Sequence, residues 1–429
     1  MRFKPQFSFV ILALILLVPL VECRAASSYD YNHLKRFSEV YDIVKKNYVR
    51  EVSNDELIDG ALKGMLQALD PHSSYMTPEE FSDMRENTSG EFSGIGVEIS
   101  TENGKVTVVS PIDDTPAHSA GIRAGDSILA IDGRPTMDMT PQEVVNSIRG
   151  PRGSEVELMI VHKDSNTPET LKVKRDSIPL ISVKARYLED GFLWVRLSRF
   201  NEKTTEELRA AIKNARKQTA IKGVVLDLRN NPGGLLDQAH SVADVFIQDG
   251  VIVSMKGRGP GRQREYKASK GSTLVFEPVV VLVNSGSASA AEIVAGAMQD
   301  RKRAVLIGER TFGKGSVQEV RNIDGFGIKL TTALYYTPSG RSIQAEGIEP
   351  DLEIPFEAPR EGAKGPSLKV REQDLSHHLA NKDKNGAKEK SKFKPDPEAQ
   401  TFLDRDNQLR MALQIVKSLP TIQELSWKQ

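Results

Sequence analysis

Val279 to Val283 reads VVVLV, an aliphatic run with no polar side. A strand that alternates apolar and polar residues can rest one face in water; this one demands a sheet covered on both faces. Its surroundings fit that demand. From about Ile181, strand-like and helix-like stretches take turns: GFLWVRL, TTEELRAAIKNARK, KGVVLDL, LLDQAHSVADVFI, PVVVLVN, SAAEIVAGAMQD and AVLIG. That order predicts βαβ units, an α/β core over residues 179–356.

The rest of the chain divides by its periodicity. HLKRFSEVYDIVKKNYV and NDELIDGALKGMLQAL place Phe37, Val40, Ile43 and Val44, then Leu57, Ala61, Met65 and Leu69, at helical spacing, a helical N-terminal region over 27–90. From about Phe92 the period drops to two in GVEIS, KVTVVS, SILAIDG and EVELMIVHK, with one helix-like insert from Thr140 to Gly150. Residues 91–178 are therefore expected to form a small β-module. Residues 357–398 are polar, lysine-rich and poor in aromatics, a flexible linker, and 399–429 read as one amphipathic helix. The fold class is a multidomain mixture of α+β and α/β. The apolar faces of the terminal helices suit a homodimer interface or a return onto their own chain, and the pattern leaves both open.

Arg2 and Lys4, the apolar run from Phe7 to Val21, and Ala25 and Ala26 compose an export signal over 1–26. The run is short for a transmembrane span. LVEC resembles a lipoprotein acylation box at Cys23, but Glu22 stands where such a box needs a small residue. The expected location is periplasmic or otherwise extracytoplasmic, with inner-membrane association if the segment is kept. Cys23 is the single cysteine, which leaves the mature chain no internal disulfide, thiolate metal cluster or cysteine nucleophile. No metal or cofactor is expected. Lys plus Arg equals Asp plus Glu at 58 each, so charge gives no reason to expect nucleic acid.

GERTFGKGS, from Gly308 to Ser316, nearly matches a phosphate-binding loop through Gly308, Gly313 and Lys314. Gly315 replaces the hydroxyl that would hold Mg²⁺, and the following SVQEVRNIDGFGIKLTTALYY alternates as strands rather than opening a helix. Export also argues against a nucleotide. Lys314 then either is a solvated surface lysine, the commonest fate of lysine, or serves some chemistry other than phosphate binding.

The run VVVLV leads into SGSASAAEIVAGA, where a hydroxyl would sit at the positive end of a helix beside unpaired N–H groups. Ser289 and Glu292 also have capping-box spacing, so a simple helix cap is the competing reading. In DLRNNPGG, Gly233 and Gly234 bring backbone N–H groups close without a Cβ in the way. Gln318, four residues past Lys314, would share its face in a strand. The histidines His33, His72, His118, His162, His240, His377 and His378 accompany no G-x-S-x-G elbow and no H-E-x-x-H pair, but a Ser-Lys pair needs none.

DLRNNPGG, NSGSASAAEI and GKGSVQ, in this order and with Lys314 lying 25 residues after Ser289, resemble the carboxyl-terminal processing proteases, the tail-specific Ser-Lys peptidases. The likeness reaches to about Phe356 and includes GALKGMLQALDPHSSYM. It implies Ser289 as nucleophile, Lys314 as general base and Gln318 as the group that orients the lysine. The N–H of Ala290 and one from Gly233 or Gly234 would form an oxyanion hole. The β-module resembles a PDZ domain, with Gly94, Ile95, Gly96 and Val97 as its carboxylate loop and Val144, Val145 or Ile148 facing the groove. Arg149, at the end of that helix, would pair with a bound tail or with the protease domain. The implied function is an exported serine endopeptidase that cleaves proteins with accessible C-terminal tails through an acyl-enzyme, alone or with a second copy or an adaptor. The rival is an inactive PDZ scaffold whose Ser289 only caps a helix.

Overall fold

The computed structural model describes residues 28–102, 104–259, 263–358 and 397–426. The export signal, Cys23 and nearly all of the linker lie outside them. Among the described residues no helix is long and apolar enough to cross a membrane. The chain divides into two compact units, with the boundary after Ala68.

The first unit holds the helices Ser28–Asn47 and Asn54–Gln67. Ser53 caps the second, its hydroxyl accepting the N–H of Glu56. Tyr41 and Lys45 both donate to Asn54 Oδ1, which closes the hairpin. Leu34, Phe37, Val40 and Ile43 are exposed.

The second unit is built on a six-stranded sheet. Strands Phe192–Leu197, Gly223–Asp227, Val279–Val283, Val305–Gly308 and Leu352–Glu353 run parallel, and Val183–Glu189 pairs antiparallel at one edge. Alternation across the strands divides their side chains between two cores. Val224, Leu226, Val279, Val281 and Val283 pack with helices Thr204–Gln218, Leu236–Asp244 and Ala290–Asp300. Val225, Val280, Leu282 and Ile307 pack instead against Leu403, Leu409, Leu413 and Val416 of the C-terminal helices. VVVLV is thus the middle of a three-layer sandwich, and the C-terminal helices return onto their own sheet.

Where the sequence pattern reads one terminal helix, the structure has two, Pro397–Arg405 and Asn407–Ser426. Asp406 makes the break: its Oδ1 accepts the N–H of Leu409 at 2.9 Å, the bond of an N-cap. The same carboxylate pairs with Arg229 at 2.7 Å, anchoring the restart to the end of strand Gly223–Asp227.

A second sheet carries the strands Ser74–Met76, Phe326–Tyr336, Val251–Gly257 and Gln263–Lys267, with Ser316–Ile323 also paired to Phe326–Tyr336. The β-module is a further sheet with the helix Pro141–Ile148 packed on its core. Thr140 and Glu143 form that helix's capping box. The strands entering and leaving the module, Glu91–Gly94 and Asp176–Pro179, pair antiparallel with each other, so both connections to the α/β core run through one narrow ribbon.

Candidate active site

Strand Val279–Val283 ends at a loop that reverses into helix Ala290–Asp300. Ser289 occupies the turn with φ 53° and ψ −112°. A non-glycine residue there carries backbone strain, and such strain persists only where surrounding contacts enforce it. Those contacts are present. Ser287 Oγ donates to the Leu228 carbonyl at 2.8 Å, the Ala288 N–H donates to Asn231 O at 2.9 Å, and Asn284 Oδ1 accepts the Asn230 N–H at 2.8 Å. The serine loop is therefore stitched to DLRNNPGG. The fit is so close that a Cβ on Gly233 would lie 2.8 Å from that of Ser289. Gly233 donates its N–H to Asn231 Oδ1 at 2.9 Å, whereas the N–H groups of Gly234 and Ala290 find no acceptor among the described residues.

Glu292 is wholly buried one turn into the helix. Its Oε2 accepts the N–H of Ser289 at 2.7 Å and that of Lys314 at 2.8 Å. Its Oε1 accepts the N–H of Gly313 at 2.7 Å and the hydroxyl of Thr311 at 2.6 Å. One carboxylate thus holds the serine turn and the lysine loop in register. The spacing of the sequence marks Glu292 only as the partner in a local cap, and its reach to residues 311–314 is what that reading misses.

Lys314 is half-buried in the loop between strands Val305–Gly308 and Ser316–Ile323; no helix follows it, as a nucleotide loop would require. Burial pushes its pKa down from the ordinary lysine value, and the Lys329 ammonium adds to the effect. The carboxylates of Asp70 and Glu292 pull the other way. Its Nζ is hydrogen-bonded to neither Ser289 nor Gln318. Gln318 turns its Nε2 toward Ser316 Oγ at 2.8 Å and Thr331 Oγ1 at 3.4 Å. A bulge between Val317 and Gln318 interrupts the alternation that the strand-face expectation relied on.

In the β-module, Gly94 ends the ribbon and Val97 opens the next strand. Between them Ile95 and Gly96 give their carbonyls to Ala117, Ile112 and Thr115, while their N–H groups have no acceptor among the described residues. Gly96 sits at φ 78° with Thr115 Oγ1 only 2.5 Å from where a Cβ would be, so the turn needs glycine. Val144 and Ile148 are buried in the module's core, and Val145 is half-buried. Arg149 leaves the module: it pairs with Asp83 at 3.5 Å and Glu86 at 3.6 Å on helix Pro78–Ser89, and lies 5.1 Å over the Phe92 ring. Among the described residues no group of His, Cys, Asp or Glu is arranged to hold a metal ion.

Comparison with known proteins agrees with this layout. Residues 192–354 match the model of peptidase family S41, residues 107–161 a PDZ domain, and residues 20–80 the N-terminal domain of the activating protease CtpB. The class is a serine-type peptidase whose PDZ domain precedes a mixed α/β peptidase domain. A carboxy-terminal-processing protease of Bartonella bacilliformis is 46% identical over 356 residues, covering 82% of each chain. The carboxy-terminal processing protease CtpA of Bacillus subtilis is 38% identical, covering 77% of this chain and 70% of the relative. The chain belongs to the carboxy-terminal-processing proteases of peptidase family S41. Among solved structures, a photosystem II D1 C-terminal processing protease is 33% identical over 77% of this chain and 90% of that one, with a TM-score of 0.44.

Proposed function

We propose that this protein is an exported endopeptidase that takes disordered C-terminal tails and cleaves them with a Ser289–Lys314 dyad. The observation that carries the reading is the Glu292 carboxylate, which ties the backbone of a strained serine to that of a desolvated lysine. A helix cap alone has no need of the lysine loop.

In this reading, neutral Lys314 Nζ takes the proton from Ser289 Oγ as that oxygen attacks the scissile carbonyl carbon. The oxyanion is received by the N–H groups of Ala290 and Gly234, the two donors near Ser289 left without acceptors; Gly233 is spent on Asn231. Collapse breaks the C–N bond, Lys314 returns its proton to the leaving amine, and an ester remains on Ser289. Water then attacks the ester, giving a proton to Lys314; the acyl C–Oγ bond breaks, Lys314 returns the proton to Ser289 Oγ, and the new carboxylate end of the peptide leaves. Gln318 orients the lysine. The free N–H groups of Ile95 and Gly96 receive the carboxylate of the tail, which adds as a strand beside Val97–Glu102.

The test is to incubate the protein with a substrate bearing a disordered tail, beside Ser289→Ala, and to sequence the products by mass spectrometry. Internal cuts that Ser289→Ala abolishes support the reading. A serine-acylating probe that fails to label the active wild type would overturn the acyl-enzyme.

A further inference from the structure

The turn Asp70–Ser73 lies far from Ser289 and Lys314 in sequence, yet the second sheet brings it beside Gln318. Strand Phe326–Tyr336 pairs on one side with Ser74–Met76, opposing Lys329 to Ser74, and on the other with Ser316–Ile323, opposing Thr331 to Gln318. Thr331 therefore stands between the turn and the glutamine. Asp70 Oδ1 accepts the N–H groups of His72 at 2.8 Å and Ser73 at 2.9 Å, and the hydroxyl of Thr331 at 3.2 Å. Its Oδ2 accepts the Ser73 hydroxyl at 2.7 Å, and Ser73 Oγ accepts the Thr331 N–H at 3.1 Å. Burial alone would raise the pKa of Asp70, but the bonds from Ser73, His72 and Thr331 outweigh it and hold the carboxyl below its usual range.

The direction of each bond then follows from what each group can donate. An ionised carboxylate has no proton to give, so the hydroxyl of Thr331 spends its one proton on Asp70. Toward Gln318 the same oxygen can only accept. The amide must face it with Nε2, which is the arrangement found, and Nε2 also donates to Ser316 Oγ. Oε1 is left with no donor among the described residues. We infer that Thr331 is a positioning residue of the active site: with its hydroxyl proton committed to Asp70, it fixes the Gln318 amide in the orientation that keeps Oε1 free to accept an N–H of the Lys314 amine.

The orientation matters because a neutral amine has N–H groups to donate and one lone pair. An oxygen that accepts one N–H turns the lone pair toward Ser289 Oγ. A flipped amide would donate into that lone pair and quench the base. The inference rests on Lys314 being the base. The charged and titratable groups that act on this lysine are Asp70 and His72 from the turn, Lys329 from strand Phe326–Tyr336, and Glu292 from helix Ala290–Asp300. Asp70→Asn would alter charge as well as direction, so the decisive variant is Thr331→Val, which removes the hydroxyl and keeps the shape.

The experiment measures kcat and KM on one tail peptide for Thr331→Val, Thr331→Ser, Gln318→Ala and the double variant Thr331→Val with Gln318→Ala, each checked for an unchanged melting transition. Thr331→Val is expected to lower kcat about tenfold with KM unchanged, the effect of one lost hydrogen bond. Thr331→Ser is expected to restore it, and Thr331→Val should cost nothing further once Gln318 is Ala. Unchanged kcat in Thr331→Val, or a loss just as large in the Gln318→Ala background, overturns the relay. Lys314→Ala, measured alongside, tests the base separately: activity retained there defeats the dyad and not the relay alone.

Discussion

Glu292 Oε2 receives the backbone N–H of Ser289 at 2.7 Å and the backbone N–H of Lys314 at 2.8 Å. Two loops separated by helix Ala290–Asp300 and strand Val305–Gly308 thereby share one acceptor. Glu292→Gln keeps the size but swaps an acceptor oxygen for an NH₂ that confronts N–H donors. The expected loss of stability is about 1–3 kcal/mol, read by denaturant unfolding. The displaced loops should also lower kcat on the order of 10²-fold with little change in KM.

Ser289→Ala and Lys314→Ala should each remove essentially all cleavage and leave the chain folded, since neither side chain fills the core. In the proposed dyad the nucleophile and base act as one unit, so the double variant should be no worse than either single one. Rate losses that multiply instead would mean that the two side chains act independently. Gln318→Ala should reduce turnover less.

A depressed lysine pKa has a consequence for folding. Lys314 sits below its ordinary 10.5 in the folded chain, so between the two values the unfolded chain binds more protons and stability rises with pH. At lower pH the folded chain bears the full cost of holding a buried ammonium. Lys314→Met should therefore be more stable than wild type near neutrality, and the gap should close as pH climbs toward 10.5. Paired melting curves across that range measure it. A gap that stays constant with pH would show that Lys314 is not desolvated.

What could be read from the sequence follows from how local each signal is. VVVLV and the alternation around it are consequences of burial on two faces, and the sheet bears both. The break at Asp406 was hidden because the apolar period of the terminal segment continues through it, while the capping bond to Leu409 competes only locally. Glu292 was hidden by its own spacing, which a capping box already explains. A signal for its wider role was present: Ala290 to Met298 is small or apolar at every other position, so a carboxylate there has no solvent face and must find donors elsewhere in the fold. The bulge before Gln318 leaves no trace in composition. Its effect is to place the glutamine opposite Thr331, a pairing that only the strand register reveals.

Arg149 follows the PDZ helix as its C-terminal cap residue; its guanidinium lies over Phe92 and reaches out of the module to Asp83 and Glu86. The ion pairs are partly exposed and long, so each contributes only about 0–1 kcal/mol and can be exchanged at little cost. That suits a contact made in the absence of a tail and given up when one binds at Ile95 and Gly96. If the exchange switches the peptidase on, Arg149→Ala should lower kcat even at saturating peptide, because the bound state loses the partner that transmits binding. If the module is only a tether, KM should rise and kcat should stay. Amidating the peptide's terminus separates carboxylate recognition from the arginine. It removes the charge that the two N–H groups would hold, so cleavage should weaken in the wild type and in Arg149→Ala alike. Equal cleavage of free and amidated tails would rule out the carboxylate loop, and an unchanged kcat in Arg149→Ala would rule out the switch.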